Sequence, residues 1–190
     1  MELLPPGGAD VDIAVLFADV RGSTNLGERL GDVAFAALMN QFYRVATEVL
    51  LSFEATIDKL VGDEVMALFI PGFSGLQYRR LALRAAEHLV QAMGYGEPGG
   101  PWLPLGVGVH GGLAFVGSFG SSGVTDFTAL GDTVNIAARL RAEAAAGEIV
   151  VSEALYHAAG GDAAERRTLL VRGKTEPLEV RIMRPGQPTG

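Results

Sequence analysis

The run VDIAVLFADV, Val11 to Val20, restricts the fold more than any other stretch, being apolar at nearly every position and ending on an acid. A continuous apolar run of this length reads as a buried central strand, so the rest of the chain must build a sheet around it. RGSTNLGERLGD follows, with Gly22 for a turn and Ser23 or Thr24 placed to cap a helix. Val33, Phe35, Leu38, Phe42, Val45, Val49 and Leu50 then recur at helical spacing up to about Phe53. ATIDKLVGDEVMALFI gives two β-rich runs around Val-Gly-Asp, a hairpin, and the segment from Leu76 to Met93 is a second amphipathic helix. Gly94 to Trp102 is a loop of turn formers.

LPLGVGVHGGLAFVGSF crosses a Gly-Gly step, which predicts a second hairpin, and GSSG, Gly120 to Gly123, predicts a mobile tip. VTDFTAL is a short strand, GDTVNIAARLRAEAAAG a helix stopped by Gly147, EIVVS a strand and EALYHAA a short helix. RTLLVRGK and LEVRIM form a terminal strand pair. The order β-α-β-β-α-β predicts an α+β domain: a ferredoxin-like core, helices on one side of a mainly antiparallel sheet, plus a C-terminal βαββ extension.

The chain has 190 residues, 48% of them hydrophobic, which is enough for one domain with its own core. Residues 1–10 read as a flexible lead, 11–184 as the domain and 185–190 as a tail. The net charge of −7 argues against binding through phosphate-backbone neutralisation, so no nucleic-acid partner is expected. The absence of cysteine excludes disulfides and thiolate metal sites and fits a cytoplasmic setting. No run reaches the roughly 18 apolar residues of a membrane span, and the start lacks the pattern of a signal peptide.

Asp19 ends an apolar strand and leads through DVRGST into a Gly turn and a helix start. Free N–H groups at a helix N-terminus bind phosphate, and an adjacent carboxylate can hold Mg²⁺ against phosphate oxygens. Asp63 sits at the hairpin tip beside Gly62, where a turn former is the plain alternative. If the two strands are neighbours, both carboxylates reach one edge of the sheet and can bridge two divalent ions about 3.5–4 Å apart. Asn135 and Arg139 lie four apart on one helical face, a clamp for phosphate and sugar or simply an exposed polar pair. Arg172 and Lys174 flank Gly173 in VRGK. His88, His110 and His157 share no metal-ligand spacing, and no phosphate-loop or nucleophile-elbow motif is present.

Taken together and in order, FADVRGST, DKLVGDEVMALF, DFTALGDTVNIAARL and VRGK resemble the catalytic domain of class III nucleotidyl cyclases, over about Val11 to Met183. The resemblance implies two catalytic divalent cations, Mg²⁺ or Mn²⁺, on Asp19 and Asp63, with the Val20 carbonyl as a further ligand. Gly22, Ser23 and Thr24 fall where the family's loop wraps the β- and γ-phosphates, and Lys174 matches a triphosphate-contacting lysine. Lys59 stands at the base-recognising position, Lys in adenylyl and Glu in guanylyl cyclases, and its usual Asp partner is replaced by Thr128. A subset of the family looks like this, and several of its members respond to bicarbonate.

Asn135 and Arg139 match the pair that orients the ribose and stabilises the pentavalent phosphorus. Gly106 stands where some relatives carry a phosphate-contacting Arg. The implied reaction makes 3′,5′-cyclic AMP and pyrophosphate from ATP. A guanylyl cyclase or a catalytically silent nucleotide-binding domain are the rival readings.

The resemblance further implies a head-to-tail homodimer with two shared sites, Asp19 and Asp63 on one subunit facing Lys59, Thr128, Asn135, Arg139 and Lys174 of the other. The GGLAFVGSFGSSGVTDF hairpin is the expected dimerisation arm, projecting Phe115, Val116 and Phe119. On this reading Lys59 and Asp63 of one chain serve different sites and should not pair with each other.

Overall fold

The computed structural model describes residues 7–121, 124–170 and 176–186. Its first strand, β1 (Ala9–Val20), begins inside the expected lead and is flanked on both sides. A short helix α1 (Ser23–Leu30) and a long helix α2 (Asp32–Ser52) follow, then the hairpin β2 (Thr56–Val61) and β3 (Glu64–Phe69). After α3 (Pro71–Ser74) and α4 (Tyr78–Ala92) comes the long strand β4 (Leu105–Ser121), antiparallel to β5 (Val124–Leu130). Helix α5 (Asp132–Glu143), β6 (Ile149–Ser152), α6 (Glu153–Ala158), β7 (Glu165–Leu169) and β8 (Leu178–Met183) complete the chain.

The sheet runs β2-β3-β1-β4-β6-β8-β7, with β5 paired to β4 off this path. The first four strands are in ferredoxin-like order, and β4 with β6 is the one parallel pairing among the described residues. The mixed α+β architecture and mainly antiparallel sheet are as expected from the sequence.

Four local expectations are corrected. The helices lie on both faces of the sheet. Ala14, Leu16, Ala18 and Val20 of β1 pack with residues of α2, α4 and α6, whereas Ile13, Val15 and Phe17 pack with Ala137 and its neighbours on α5. A strand alternates its side chains between faces, so an apolar run such as β1 requires two apolar layers.

The Gly111–Gly112 step is not a turn: β4 runs straight through it, paired to Ala14 and Ile13 of β1. A Cβ at Gly111 would lie 2.8 Å from the Leu155 side chain, and one at Gly112 would lie 2.9 Å from the Thr133 hydroxyl. The glycines admit neighbours from α6 and α5 rather than reversing the chain.

Neither Ser23 nor Thr24 caps a helix. Gly22 is the N-cap of α1 in the left-handed conformation, φ +69°, and no side chain hydrogen-bonds the cap. Helix α5 also stops earlier than expected, with Ala144 rather than Gly147 just past its end. The GSSG tip includes Ser122 and Gly123, and VRGK is Val171 to Lys174; these lie outside the described residues, so Lys174 has no structural placement here.

Candidate active site

Antiparallel pairing of β1 with β3 sets Asp19 opposite Glu64, next to Asp63 in the β2–β3 turn. The Val20 N–H donates to the Asp63 carbonyl at 3.1 Å, and the Ser23 hydroxyl donates to the Asp63 carboxylate. The Tyr43 hydroxyl donates to the Gly62 carbonyl at 2.5 Å, tying the turn to α2. Asp19, Val20 and Asp63 are therefore gathered at one end of the central strands, beside the Gly22–Thr24 turn that leaves β1.

Two arginines that the sequence reading passed over complete this corner. Arg141 Nη1 lies 2.9 Å from Asp19 Oδ2, and its Nη2 lies 2.6 Å from Glu64 Oε2. Arg21 Nη2 lies 2.7 Å from Asp19 Oδ1. Helix α5 reaches this position because it docks directly on β4 at Gly108. A Cβ there would stand 2.1 Å from the Arg141 backbone nitrogen, so any larger residue would push the helix off the sheet. Thr133 fastens the start of the same helix by donating to the Leu113 carbonyl at 2.6 Å.

Gly106 carries no side chain, and Arg21 fills the space above it: a Cβ at 106 would be 2.7 Å from Arg21 Nε. The space above Gly106 is thus occupied by the guanidinium of Arg21. Both Arg21 and Arg141 could be read from the sequence only as basic residues near motifs, in DVRGST and two positions after Arg139.

Burial and neighbouring charges act together on the acids of this corner. Burial pushes the Asp19 carboxyl above its ordinary range; Arg21 and Arg141 oppose this, and the Asp63 charge adds to it. Burial likewise raises Glu64, with Arg141 opposing and Asp19 and Asp63 reinforcing. The Asp63 charge thus acts on both Asp19 and Glu64.

Lys59 stands apart from this corner. Its ammonium pairs with Asp126 of β5 at 3.1 Å and with Asp58 at 3.2 Å, and not with Asp63, as the sequence reading required. Asp126 and Thr128 share one face of β5; Asp126 is exposed, whereas Thr128 is buried. On α5, Asn135 is exposed and Arg139 half-buried, and no hydrogen bond or ion pair among the described residues joins either to the Asp19 corner. The chain brings the acids together and leaves Lys59, Thr128, Asn135 and Arg139 outside that corner, with Thr128 buried.

Residues 9–183 match the adenylate and guanylate cyclase catalytic domain family, and the chain belongs to that family. It is 31% identical over 137 residues to an adenylate cyclase of Anabaena cylindrica, covering 67% of this chain. It is also 28% identical over 134 residues to adenylate cyclase 1 of Rhizobium meliloti (strain 1021), covering 68% of this chain. The matched regions are only 26% and 20% of those relatives' lengths. Among solved structures it resembles a guanylyl cyclase (TM-score 0.82, 26% identity, 96% of each chain covered). It resembles also the adenylyl cyclase CyaB from P. aeruginosa (TM-score 0.81, 28% identity, 93% of this chain and 95% of that chain). No helix among the described residues is long and apolar enough to cross a membrane.

Proposed function

We propose that this chain is an adenylyl cyclase domain that converts ATP to 3′,5′-cyclic AMP and pyrophosphate. The observation that carries the reading is the convergence of Asp19 and Asp63, from separate elements, beside the Gly22–Thr24 turn. The ribose 3′-oxygen forms a bond to the α-phosphorus as the α-phosphorus–pyrophosphate bond breaks in line, and the 3′-hydroxyl proton is released.

The donor set fits two hard divalent cations. Asp19, Asp63 and the Val20 carbonyl supply oxygen only, and Mg²⁺ characteristically takes one or two carboxylates with phosphate and water completing its shell. Bound there, Mg²⁺ or Mn²⁺ would acidify the 3′-hydroxyl and neutralise charge on the leaving pyrophosphate.

The protein's own groups position and discriminate. Gly22, Ser23 and Thr24 present the turn and the start of α1 to the β- and γ-phosphates. Asn135 orients the ribose, and Arg139 offers fixed donors to charge that grows at the pentavalent phosphorus. Lys59 reads the base, with Thr128 beside it, and Lys174 adds a cation to the triphosphate.

Asn135 and Arg139 do not face their own Asp19, which supports a head-to-tail homodimer in which each site takes its acids from one subunit and these residues from the other. The β4–β5 hairpin is the arm for that assembly, with Leu113, Phe115 and Leu130 exposed upon it and Phe119 half-buried, whereas Val116, expected to project, is buried in the chain's own core. A bicarbonate response, as in several Thr-bearing members, belongs to the same reading.

One observation favours a catalytically silent alternative: both Asp19 oxygens are held by guanidinium groups. Turnover of ATP and GTP by the purified domain with Mn²⁺ separates the readings. Cyclic AMP formation with ATP preferred over GTP is expected. Preference for GTP supports the guanylyl reading, and no product from either supports the silent one.

A further inference from the structure

We infer that Asp126, through its ion pair with Lys59, is the carboxylate that selects adenine over guanine in this chain. The inference rests on the adenylyl reading of Lys59 above and adds a specificity residue to it. Where a base-reading lysine works with a carboxylate, the pair offers one donor and one acceptor to the base edge. Adenine presents the complement, an acceptor at N1 and a donor amino group at C6, whereas guanine presents an N1–H and a C6 carbonyl at those places.

The residue beside Lys59 on sequence grounds, Thr128, is buried and carries no charge. The carboxylate that Lys59 in fact meets is Asp126, two residues earlier on the same face of β5, 3.1 Å from the ammonium. It is solvent-facing, with a side chain 59% exposed, so an incoming base can reach it.

The local backbone is built to make this pair. The β2–β3 register passes from Ile57 opposite Ala67 to Lys59 opposite Met66, leaving Asp58 as the extra residue of a bulge. Bulges re-aim side chains, and here Lys59 is directed across to β5. The Asp58 side chain is fully covered, and its Oδ2 stands 3.2 Å from the Lys59 ammonium. One ammonium is therefore flanked by two carboxylates, and the trio carries an excess negative charge. The buried Asp58 balances Lys59 from behind while the exposed Asp126 keeps acceptor capacity for a ligand. An amino group at the purine 6-position satisfies that capacity; a carbonyl oxygen there meets like charge. Phe127 fixes the strand between Asp126 and Thr128 by an edge-on contact with Phe73 at 6.2 Å between ring centres.

The plain alternative is that the Lys59–Asp126 pair only tethers β5 to β2. Steady-state kcat/KM for ATP and GTP with Mn²⁺ distinguishes the two in the wild type, Asp126→Asn, Asp126→Glu and Thr128→Val. Asp126→Asn should lower the ATP:GTP ratio about 10- to 100-fold, the range for a hydrogen bond to a charged group. Asp126→Glu should recover much of the ratio, and Thr128→Val should change it less than Asp126→Asn does. An equal fall for both nucleotides in Asp126→Asn, or an unchanged ratio, overturns the inference.

Should Asp126→Asn fold poorly, the exchanged pair Lys59→Asp with Asp126→Lys restores the tether with donor and acceptor reversed. An inverted preference, for GTP over ATP, supports the inference; recovery of wild-type ATP preference, or a preference merely lost, overturns it. A wild type that prefers GTP or cyclises neither nucleotide refutes the adenylyl reading itself. A wild type that prefers ATP with an Asp126→Asn variant equally selective refutes only the role of Asp126.

Discussion

The acidic corner and the Lys59 edge are built on opposite plans. Asp19 and Glu64 sit on paired central strands, half-buried, and share Arg141, while Ser23 and the Val20 N–H hold Asp63. Lys59 and Asp126 meet on an exposed surface, linked by one ion pair between β2 and β5. The first arrangement is fixed by several independent contacts and cannot shift without disturbing the core. The second can be altered by a single side chain at little cost to the fold, since exposed pairs contribute at most about 1 kcal/mol. On the proposed function, the reaction is anchored in the sheet and the choice of nucleotide lies at the periphery.

The sharpest way to break this contrast is Asp19→Ala. It should reduce cyclic AMP formation at least about 1,000-fold while circular dichroism and oligomeric state stay as in the wild type. Substantial residual turnover would remove Asp19 from the cation site. Next in size, Phe115→Asp on the exposed arm should weaken self-association about 10- to 100-fold, read by sedimentation velocity over a concentration series, because a charge would then enter an apolar contact.

Arg141→Gln removes a cation that competes for the Asp19 carboxylate. Mn²⁺ binding followed by electron paramagnetic resonance should tighten about 3- to 10-fold. Weaker binding would mean that Arg141 chiefly orients Asp19 and Glu64.

Stability rather than turnover responds where β4 meets the start of β6. Glu148 is buried; burial pushes its carboxyl up, but the Ala145 N–H and the Arg184 and Arg167 guanidiniums outweigh this and hold it below the usual range. A depressed carboxyl stabilises the fold above its unfolded pKa of about 4.5 and loses that contribution as pH falls through the folded value. Glu148→Gln should therefore cost about 2 kcal/mol in urea denaturation at pH 7 and progressively less in acid, below pH about 4.5. An equal cost at pH 7 and at pH 3 would contradict the assignment.

Much of this was legible in the sequence, and what was not has a common cause. The apolar run ending in Asp19, the Val-Gly-Asp turn and the order of elements fix the central strands and bring Asp19 to Asp63, because strand pairing follows from local pattern and short connections. The separation of Lys59 from Asp63 was legible as well. Arg141 was not, since its reach depends on α5 docking on the second face of the sheet at Gly108, a tertiary contact without periodic signature. The same holds for Arg21 over Gly106 and for Asp126, whose meeting with Lys59 spans 67 positions and needs the bulge at Asp58. The Gly111–Gly112 step misled because glycine marks both turns and close packing, and only the presence of Leu155 and Thr133 decides between them.

The contrast between the two regions amounts to a claim that each active site draws its acids from one subunit and its Arg139 side from the other. Mixing Asp19→Ala with Arg139→Ala tests this directly, each variant being inactive alone. Random exchange makes half the dimers mixed, each with one intact site of two, so cyclic AMP formation should recover to about a quarter of the wild-type rate. No recovery in a mixture shown to have exchanged subunits would contradict the account.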